Sequence, residues 1–395
     1  METVACRSNT SGEGGASASR IARRWLVLAV AFVGVAVPGA GSPAGAACGW
    51  IREPSPNPSS AWNLLEDIDV LGPNSAWAVG RFVGGDVRPL VLHWNGTVWS
   101  QRIVDDLTGL GPAHFFSVSA RSNHDVWAVG VYLEYIFDQS REVPLIMHWD
   151  GSTWTRMPAP YPSRQEAGLD GVAVIPGTDD VVAVGSRRVP YEAPHTYVVR
   201  FDGTAWTRDK APSPGLFRNN LQDITALSAS DMWAVGSTDG IVPPTFDRAE
   251  RPLALHWNGT RWKEHYVPPV AATDTDLRGV DAISTANAMA VGKSGDQAYA
   301  ARLDGRSWTR MQLPDLAGAA LEAVDMRRGS DAWAVGSASG ESLIQHWDGS
   351  AWSVSVGPAP GGEVLNGVDS SRNDVWAVGH GGRSVRRTMV DRYTC

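Results

Sequence analysis

No run of lysine and arginine is longer than two residues, and 34 Lys+Arg stand against 42 Asp+Glu, a formal net charge of −8. Phosphate backbones need a basic surface, so nucleic acid is not an expected partner. Cysteine is scarce: Cys6, Cys48 and Cys395 are the only three, which excludes a disulfide-dense scaffold. The apolar run from Trp25 to Val37 falls short of the roughly 20 residues that span a bilayer, so no membrane span is expected. From residue 48 onward no stretch keeps a helical period, which excludes bundles and α/β folds. No His, Asp, Glu or Cys cluster has metal-ligand spacing, so neither a metal nor another cofactor is expected.

What the chain has in abundance is repetition. Asp125-Val126-Trp127-Ala128-Val129-Gly130 is followed by His148-Trp149-Asp150-Gly151-Ser152-Thr153-Trp154, and both phrases recur along the chain. The Val-Gly pair ends at Gly80, Gly130, Gly185, Gly236, Gly292, Gly336 and Gly379. That gives seven units of blade size, roughly 40–50 residues each. Every unit holds four apolar runs: an opening run such as Leu221-Gln222-Asp223-Ile224, the Trp-Ala-Val-Gly run, an alternating run such as Pro252–Trp257, and a Trp-led closing run such as Trp154–Met157. Short β-branched and aromatic runs between Gly, Asn, Asp and Pro clusters read as strands. Asn95-Gly96, Asp150-Gly151, Asp202-Gly203, Asn258-Gly259, Asp304-Gly305 and Asp348-Gly349 mark a hairpin between the third and fourth runs. A four-stranded sheet cannot cover both its faces alone, and radial stacking of seven does so. The fold class is all-β: a seven-bladed β-propeller of four-stranded antiparallel blades.

The last unit lacks a closing run. The missing piece stands at the other end, where Trp50-Ile51-Arg52-Glu53-Pro54-Ser55-Pro56 matches Trp206–Pro214. The N-terminal strand is therefore expected to close the last blade. Aligning Arg392-Tyr393-Thr394-Cys395 on Arg200-Phe201-Asp202-Gly203 puts Cys395 and Cys48 on neighbouring positions of the missing turn. A Cys48–Cys395 disulfide would replace the absent peptide link, worth roughly 4–5 kcal/mol through loop closure; the alternative is two free thiols at frayed ends.

Residues 1–47 read as a signal peptide: Arg20, Arg23 and Arg24, then the apolar run, then small residues to Ala47. Arg23-Arg24 leaves twin-arginine export open beside ordinary secretion. Residues 48–395 form a single propeller domain, expected to be secreted and monomeric. A lipid anchor at Cys48 is the lesser alternative, because Cys395 offers that thiol a better use. Removing residues 1–47 takes away four arginines and two glutamates, which leaves a charge of −10.

Of 18 tryptophans, Trp25 belongs to the leader and only Trp62 lies outside the repeat register. The other sixteen are expected to pack blade on blade, where aromatics bury the most area. His93, His148, His256 and His346 precede the third-run Trp and are expected to be structural. Asp125, Asp231, Asp331 and Asp374, two residues before the second-run residue, are expected to cap the turn between the first two strands. Loop length carries the functional signal. Connections between second and third strands are long in blades two to four, at 131–141, 187–192 and 243–248, and short in blades five to seven. Binding groups gather on loops held by a rigid scaffold. The expected ligand face is Trp62, Tyr132, Tyr135, Phe137, Arg188, Tyr191, Phe246 and Arg248.

The repeat resembles the kelch/galactose-oxidase-like and BNR-type propellers of secreted bacterial proteins, and the Val-Trp-Ala-Val element resembles tectonin repeats of carbohydrate-binding lectins. The resemblance spans residues 48–395. It implies fold more than function, since propellers host many activities. The sialidase Asp-box is incomplete at Asp150–Trp154, and both cysteines of the domain sit at its ends, away from any copper-radical site. The leading expectation is a secreted non-catalytic binding module, more a binder than an enzyme, with a glycan or cell-surface protein as partner. The alternative is an extracellular glycoside hydrolase or lyase with its site at the channel mouth. A perturbed carboxylate pair in the channel would favour the latter.

Overall fold

A computed structural model describes residues 48–395 apart from 108, 137–138, 162–164, 191, 243–246, 272, 359–360 and 372–373. Each repeat is one four-stranded antiparallel sheet, and there are seven. In blade one the strands are Trp62–Gly72, Ser75–Val83, Val87–Trp94 and Trp99–Gln101. The first strand is innermost, so the seven opening runs line a central channel. Connections from the second to the third strand, and from each blade to the next, lie at one face of the disc; the other two kinds lie at the opposite face.

The repeated Val-Gly has a steric cause. The first strand slips register beside it, between Leu65 and Asp67 in blade one. A Cβ on Gly80 would stand 2.2 Å from the Leu64 carbonyl oxygen and 2.9 Å from Leu65 Cα. The same clash, with a carbonyl oxygen at 2.0–2.1 Å, meets any side chain at Gly130, Gly185, Gly236, Gly292, Gly336 and Gly379. Only glycine lets the inner strand bulge so close.

Fourteen of the sixteen register tryptophans are buried; Trp149 and Trp257 are half-buried. The closing-strand Trp of one blade meets the second-strand Trp of the preceding blade edge to face. Trp154 on Trp77 has ring centres 6.1 Å apart at 83°, Trp206 on Trp127 5.5 Å at 72°, and Trp308 on Trp233 5.3 Å at 83°. The ring closes the same way, through Trp50 on Trp333 at 5.5 Å and Trp99 on Trp376 at 5.6 Å. Such edge-to-face pairs add about 0.5–1.5 kcal/mol each beyond the area they bury.

The N-terminal strand Gly49–Arg52 pairs with Arg387–Thr394 and completes blade seven. Trp50 faces Tyr393 as Trp206 faces Phe201 in blade three. Cys48 and Cys395 form a disulfide, with Cα atoms 4.0 Å apart, close to the 3.8 Å between neighbours on a chain. Arg52 locks the same seam, donating from both terminal nitrogens to Glu363 at 3.2 Å each and from Nε to the buried Asp391.

One local expectation is corrected. Residues 131–141 are not simply a loop: in blade two the ladder runs on to Ile136 opposite Gln139, a ribbon projecting from the sheet. In blade four the ladder reaches Val242 opposite Asp247, and 243–246 lie outside the described residues. In the Asn-Gly and Asp-Gly hairpins the aspartates and asparagines do not take positive φ. Only the glycine does, +95° at Gly96 and +97° at Gly151. The preceding side chain accepts from the turn instead: Asp150 Oδ1 from the Ser152 and Thr153 amides at 2.8 and 2.9 Å.

Candidate functional site

A cleft of about 590 Å3 opens on the face that carries the second-to-third-strand connections. Blade two supplies Leu133 and Ser140–Glu142, blade three supplies Glu166–Gly168 and Ser186–Arg188, and blade four supplies Arg218–Asn220. A second cleft of about 530 Å3 adjoins it, sharing Ser140, Arg141, Glu166 and Arg188 and adding Ile136 and Pro190. The result is a trough under the blade-two ribbon.

Four arginines and two glutamates line the inner cleft. Arg141 donates from Nε to Glu134 at 2.6 Å and lies 5.5 Å from the Tyr161 ring centre. Its Nη1 is buried with no hydrogen-bond partner among the described residues. Arg187 donates from Nη1 to Gln165 Oε1 at 3.2 Å, and its Nε is likewise buried and unpartnered. Burial, and then the neighbouring Arg208, pull the Arg187 guanidinium below the usual arginine range; an arginine still keeps its proton. Arg188 stands 3.6 Å from Glu166 and Arg218 2.7 Å from Glu250, both as exposed pairs. The floor is built by the first strand of blade four. Its buried Asn219 accepts from the Gly215 amide at 2.7 Å and donates to the Pro194 carbonyl at 2.9 Å, which fixes the loops on either side.

The expected ligand residues scatter around this trough. Arg188 lines it, with a side chain 65 % exposed. Tyr135 is 62 % exposed on the ribbon, opposite Ser140. Tyr132 is half-buried against the blade-one/two core, with Arg156 6.0 Å from its ring centre. Arg248 is held by Asp239 at 3.2 Å and lies over Phe217 at 3.7 Å. Trp62, 46 % exposed, belongs to blade one and carries Arg386 5.0 Å over its ring, on another sector of the disc. Phe137, Tyr191 and Phe246 lie outside the described residues. Arg141, Arg187 and Arg218 were not singled out from sequence. The adjacent pair Arg187-Arg188 was the available signal: successive strand residues point opposite ways.

The opposite face opens on the channel through a cavity of about 240 Å3 that includes Asp67, Asp69, Asp223, Asp281, Asp325 and Asp369. These carboxylates tie neighbouring blades together. Asp67 Oδ2 accepts from the Val118 amide at 3.0 Å, Asp69 from Ala120 at 3.0 Å, Asp223 from Val280 at 2.8 Å, Asp281 from Met326 at 2.7 Å and Asp369 from Val70 at 2.5 Å. In blade two Ser117 and Ser119 do the same work for Val172 and Val174. Burial pushes Asp69, Asp223 and Asp281 up to about 7, against the amide hydrogen bonds that pull them down; burial, then Asp325 and Asp69, push Asp369 up as well. Asp170 differs. Burial first, then Glu142, lift it to about 7, and among the described residues no inter-blade amide holds it.

Nearer the other mouth, Glu66 takes Arg81 at 2.9 Å and Asn366 at 3.0 Å. His114 and His380 are pushed down to about 4, chiefly by burial, then by Arg81 for His114 and by Arg386 and Arg81 for His380.

The aspartates two before the second-run Trp do not act as turn caps, as the sequence suggested. Asp125 Oδ1 accepts from His148 Nε2 at 3.0 Å and Trp127 Nε1 at 2.8 Å. Asp231 holds His256 at 2.7 Å, Asp331 holds His346 at 2.9 Å, and Asp374 holds Arg392 at 2.9 Å. The reason is the third-run His or Arg lying across the strand pair, which captures the carboxylate before the turn does. Among the described residues no group of three or more His, Cys, Asp and Glu is arranged to hold a metal, and no helix is long and apolar enough to cross a membrane.

No family model matches the chain, and no curated protein matches it. Solved structures do. A YCF48 bound to a D1 peptide superposes with TM-score 0.55 at 15 % identity, over 88 % of this chain and 95 % of that one. YCF48 from Cyanidioschyzon merolae gives 0.53 at 16 %, over 88 % and 98 %. The WD40 β-propeller domain of Doa1 gives 0.55 at 10 %, over 88 % and 97 %. At these identities the likeness is one of fold: the chain is a seven-bladed β-propeller.

Proposed function

We propose that the protein is a secreted, non-catalytic binding propeller whose ligand, a glycan or a cell-surface protein, lies across blades two to four. The observation that carries this reading is the trough under the blade-two ribbon, the two adjoining clefts walled by three blades. Ligand clefts of this size lie where rigid elements converge. A neighbour of the same fold, YCF48, is bound to a peptide, which supports a binding use. Residues 1–47 supply the export signal in this reading, and the Cys48–Cys395 disulfide fits an oxidising compartment. The test is a panel of glycans, cell-wall polysaccharides and cell-surface proteins probed with the oxidised protein beside a Tyr135→Ala/Arg188→Ala variant. Saturable binding weakened in the variant supports the reading. Binding unaffected by the change moves the site elsewhere, and binding to nothing on the panel overturns it.

One observation favours a second reading, a glycoside hydrolase or lyase. Asp170 is raised to about 7, by burial first and then by Glu142, as the general acid of a two-carboxyl site is. Release of reducing ends that Asp170→Asn abolishes, with binding intact, would establish that reading over the first.

A further inference from the structure

Trp62 is the one tryptophan of the domain that the repeat does not demand, and it stands 46 % exposed. Its mount is rigid. The next residue, Asn63, is fully buried. Its side chain accepts from the Ser59 amide at 2.9 Å and donates to the Ser59 carbonyl at 2.8 Å, and its amide donates to the Arg386 carbonyl at 3.0 Å. A bridge pairs Trp62 with Arg386 as well, and the Arg386 guanidinium lies 5.0 Å over the indole. Among the described residues nothing accepts from that guanidinium, and its nitrogens are not shut away from water as Arg141 Nη1 and Arg187 Nε are. Arg383, in the same turn, is exposed and makes no ion pair among the described residues. The carboxylates around this turn are already engaged: Glu66 by Arg81 at 2.9 Å, Asp86 by Arg88 at 3.2 Å, Glu363 by Arg52 at 3.2 Å, and Glu341 by the Gly361 and Gly362 amides at 2.7 and 3.0 Å. Open guanidinium donors pair best with oxyanions. The free part of an indole, electron-rich on its face, takes the C–H face of a sugar ring. A pair already fixed in place loses little freedom when a ligand arrives. A peptide side chain would want an apolar pocket, and Trp62 lies outside the two clefts of this face.

We propose that the turn of blade seven and the start of blade one form a second binding site, which takes an acidic polysaccharide: a sugar ring on Trp62, its sulfate or carboxylate on Arg386, and the next acidic group along the chain on Arg383. The site is separate from the trough and does not depend on it. Binding is read on carrageenan, on the same polymer desulfated, on polygalacturonate and on poly-glutamate. The oxidised protein is compared with Arg386→Gln, Trp62→Ala, Arg383→Gln, and Arg306→Gln in a hairpin turn at the opposite face. Loss of one charge-assisted contact weakens binding about 10–100-fold, and loss of an aromatic platform about 5–10-fold. The expected result is saturable binding to carrageenan or polygalacturonate, weakened by those amounts in Arg386→Gln and Trp62→Ala, weakened less in Arg383→Gln and unchanged in Arg306→Gln. Which polymer binds tells sulfate from carboxylate. Asn63 holds the Arg386 carbonyl and not its side chain, so Arg386→Gln keeps the mount, and the exposed Arg383→Gln keeps the test valid should the Arg386 change disturb the turn. Desulfated polymer bound as tightly as the acidic ones overturns the inference. Acidic polymers bound equally by the parent, Arg386→Gln and Trp62→Ala overturn it by moving the site. Binding to poly-glutamate alone overturns it in favour of an acidic protein ligand. Binding to none of the four overturns it and leaves the trough to be decided by its own variant.

Discussion

The imidazole of His148 lies flat on the indole of Trp127, ring centres 4.2 Å apart and planes within 25°, while Asp125 grips the edges of both rings. The stack and the Asp–His bond recur in blade four, with His256 4.4 Å from Trp233, and in blade six, with His346 4.3 Å from Trp333, but there the indole nitrogen does not join the carboxylate. Burial raises the Asp125 carboxyl, and the bonds from His148 and Arg121 more than reverse that, leaving it below the usual range. His148→Ala removes the stack and leaves part of Asp125 unpaired. It is expected to cost about 1–3 kcal/mol, measured as a lower denaturation midpoint at unchanged slope. A change within about 0.3 kcal/mol would show that the unit is decoration.

Ring closure makes a sharper demand. The disulfide joins residues 347 apart in sequence, so in the chain-entropy picture its removal destabilises by about 5 kcal/mol. A Cys48→Ser/Cys395→Ser protein is expected to melt markedly lower than the oxidised parent, while keeping its far-ultraviolet spectrum because Arg52, Asp391 and the strand pairing still hold blade seven. Equal melting of the two proteins would mean that strand pairing alone closes the ring.

The seam between blades seven and one rests on a missing side chain. A Cβ on Gly367 would stand 2.9 Å from Asp67 Cα, backbone that cannot step aside. Gly367→Ala is expected to cost about 1–3 kcal/mol by overpacking. Gly84→Ala has only the Phe82 ring nearby, at 3.8 Å, and serves as the tolerated control in the same denaturation series.

The channel carboxylates give stability a pH dependence of unusual sign. Asp69, Asp223 and Asp281 have folded values near 7, against about 4 unfolded. Between those values the folded state holds more protons, so their contribution is full below about 4 and lost as pH rises through 7. His114 and His380, depressed to about 4, act oppositely: their contribution is present above about 6.5 and lost as pH falls through 4. With the larger number of raised aspartates, stability is expected to decline from pH 5 to 8. Asp69→Asn keeps an acceptor for the Ala120 amide and should flatten that decline; an unchanged slope in denaturation at several pH values would contradict it.

Most of the architecture was readable because a repeat states its rules seven times. Val-Gly marked the bulge, Asp-Gly and Asn-Gly marked the hairpin, and the unmatched Trp50 run placed the closing strand beside Arg387–Thr394. What escaped was set by neighbours rather than by local pattern. Whether 131–141 continues as a ladder depends on Ile136 meeting Gln139, which its alternation does not announce. Asp125 looked like a turn cap because its partner His148 is 23 residues away. The channel acids had a signal, an Asp eight residues before the second-run residue in Asp69/Trp77, Asp281/Met289 and Asp325/Trp333, but only closure shows that they reach the next blade. Arg141 and Arg187 share a cleft because blades two and three stack, and no spacing within one repeat encodes that.

The most direct measurement is amide hydrogen exchange with and without a saturating ligand drawn from the panel of glycans and cell-surface proteins. The account predicts new protection in the segments around 133–142, 166–168, 186–188 and 218–220, with the channel segments around 67–69, 172–174 and 323–325 unchanged. Protection confined to the channel segments, with the trough unaffected, would contradict it and put the site on the opposite face.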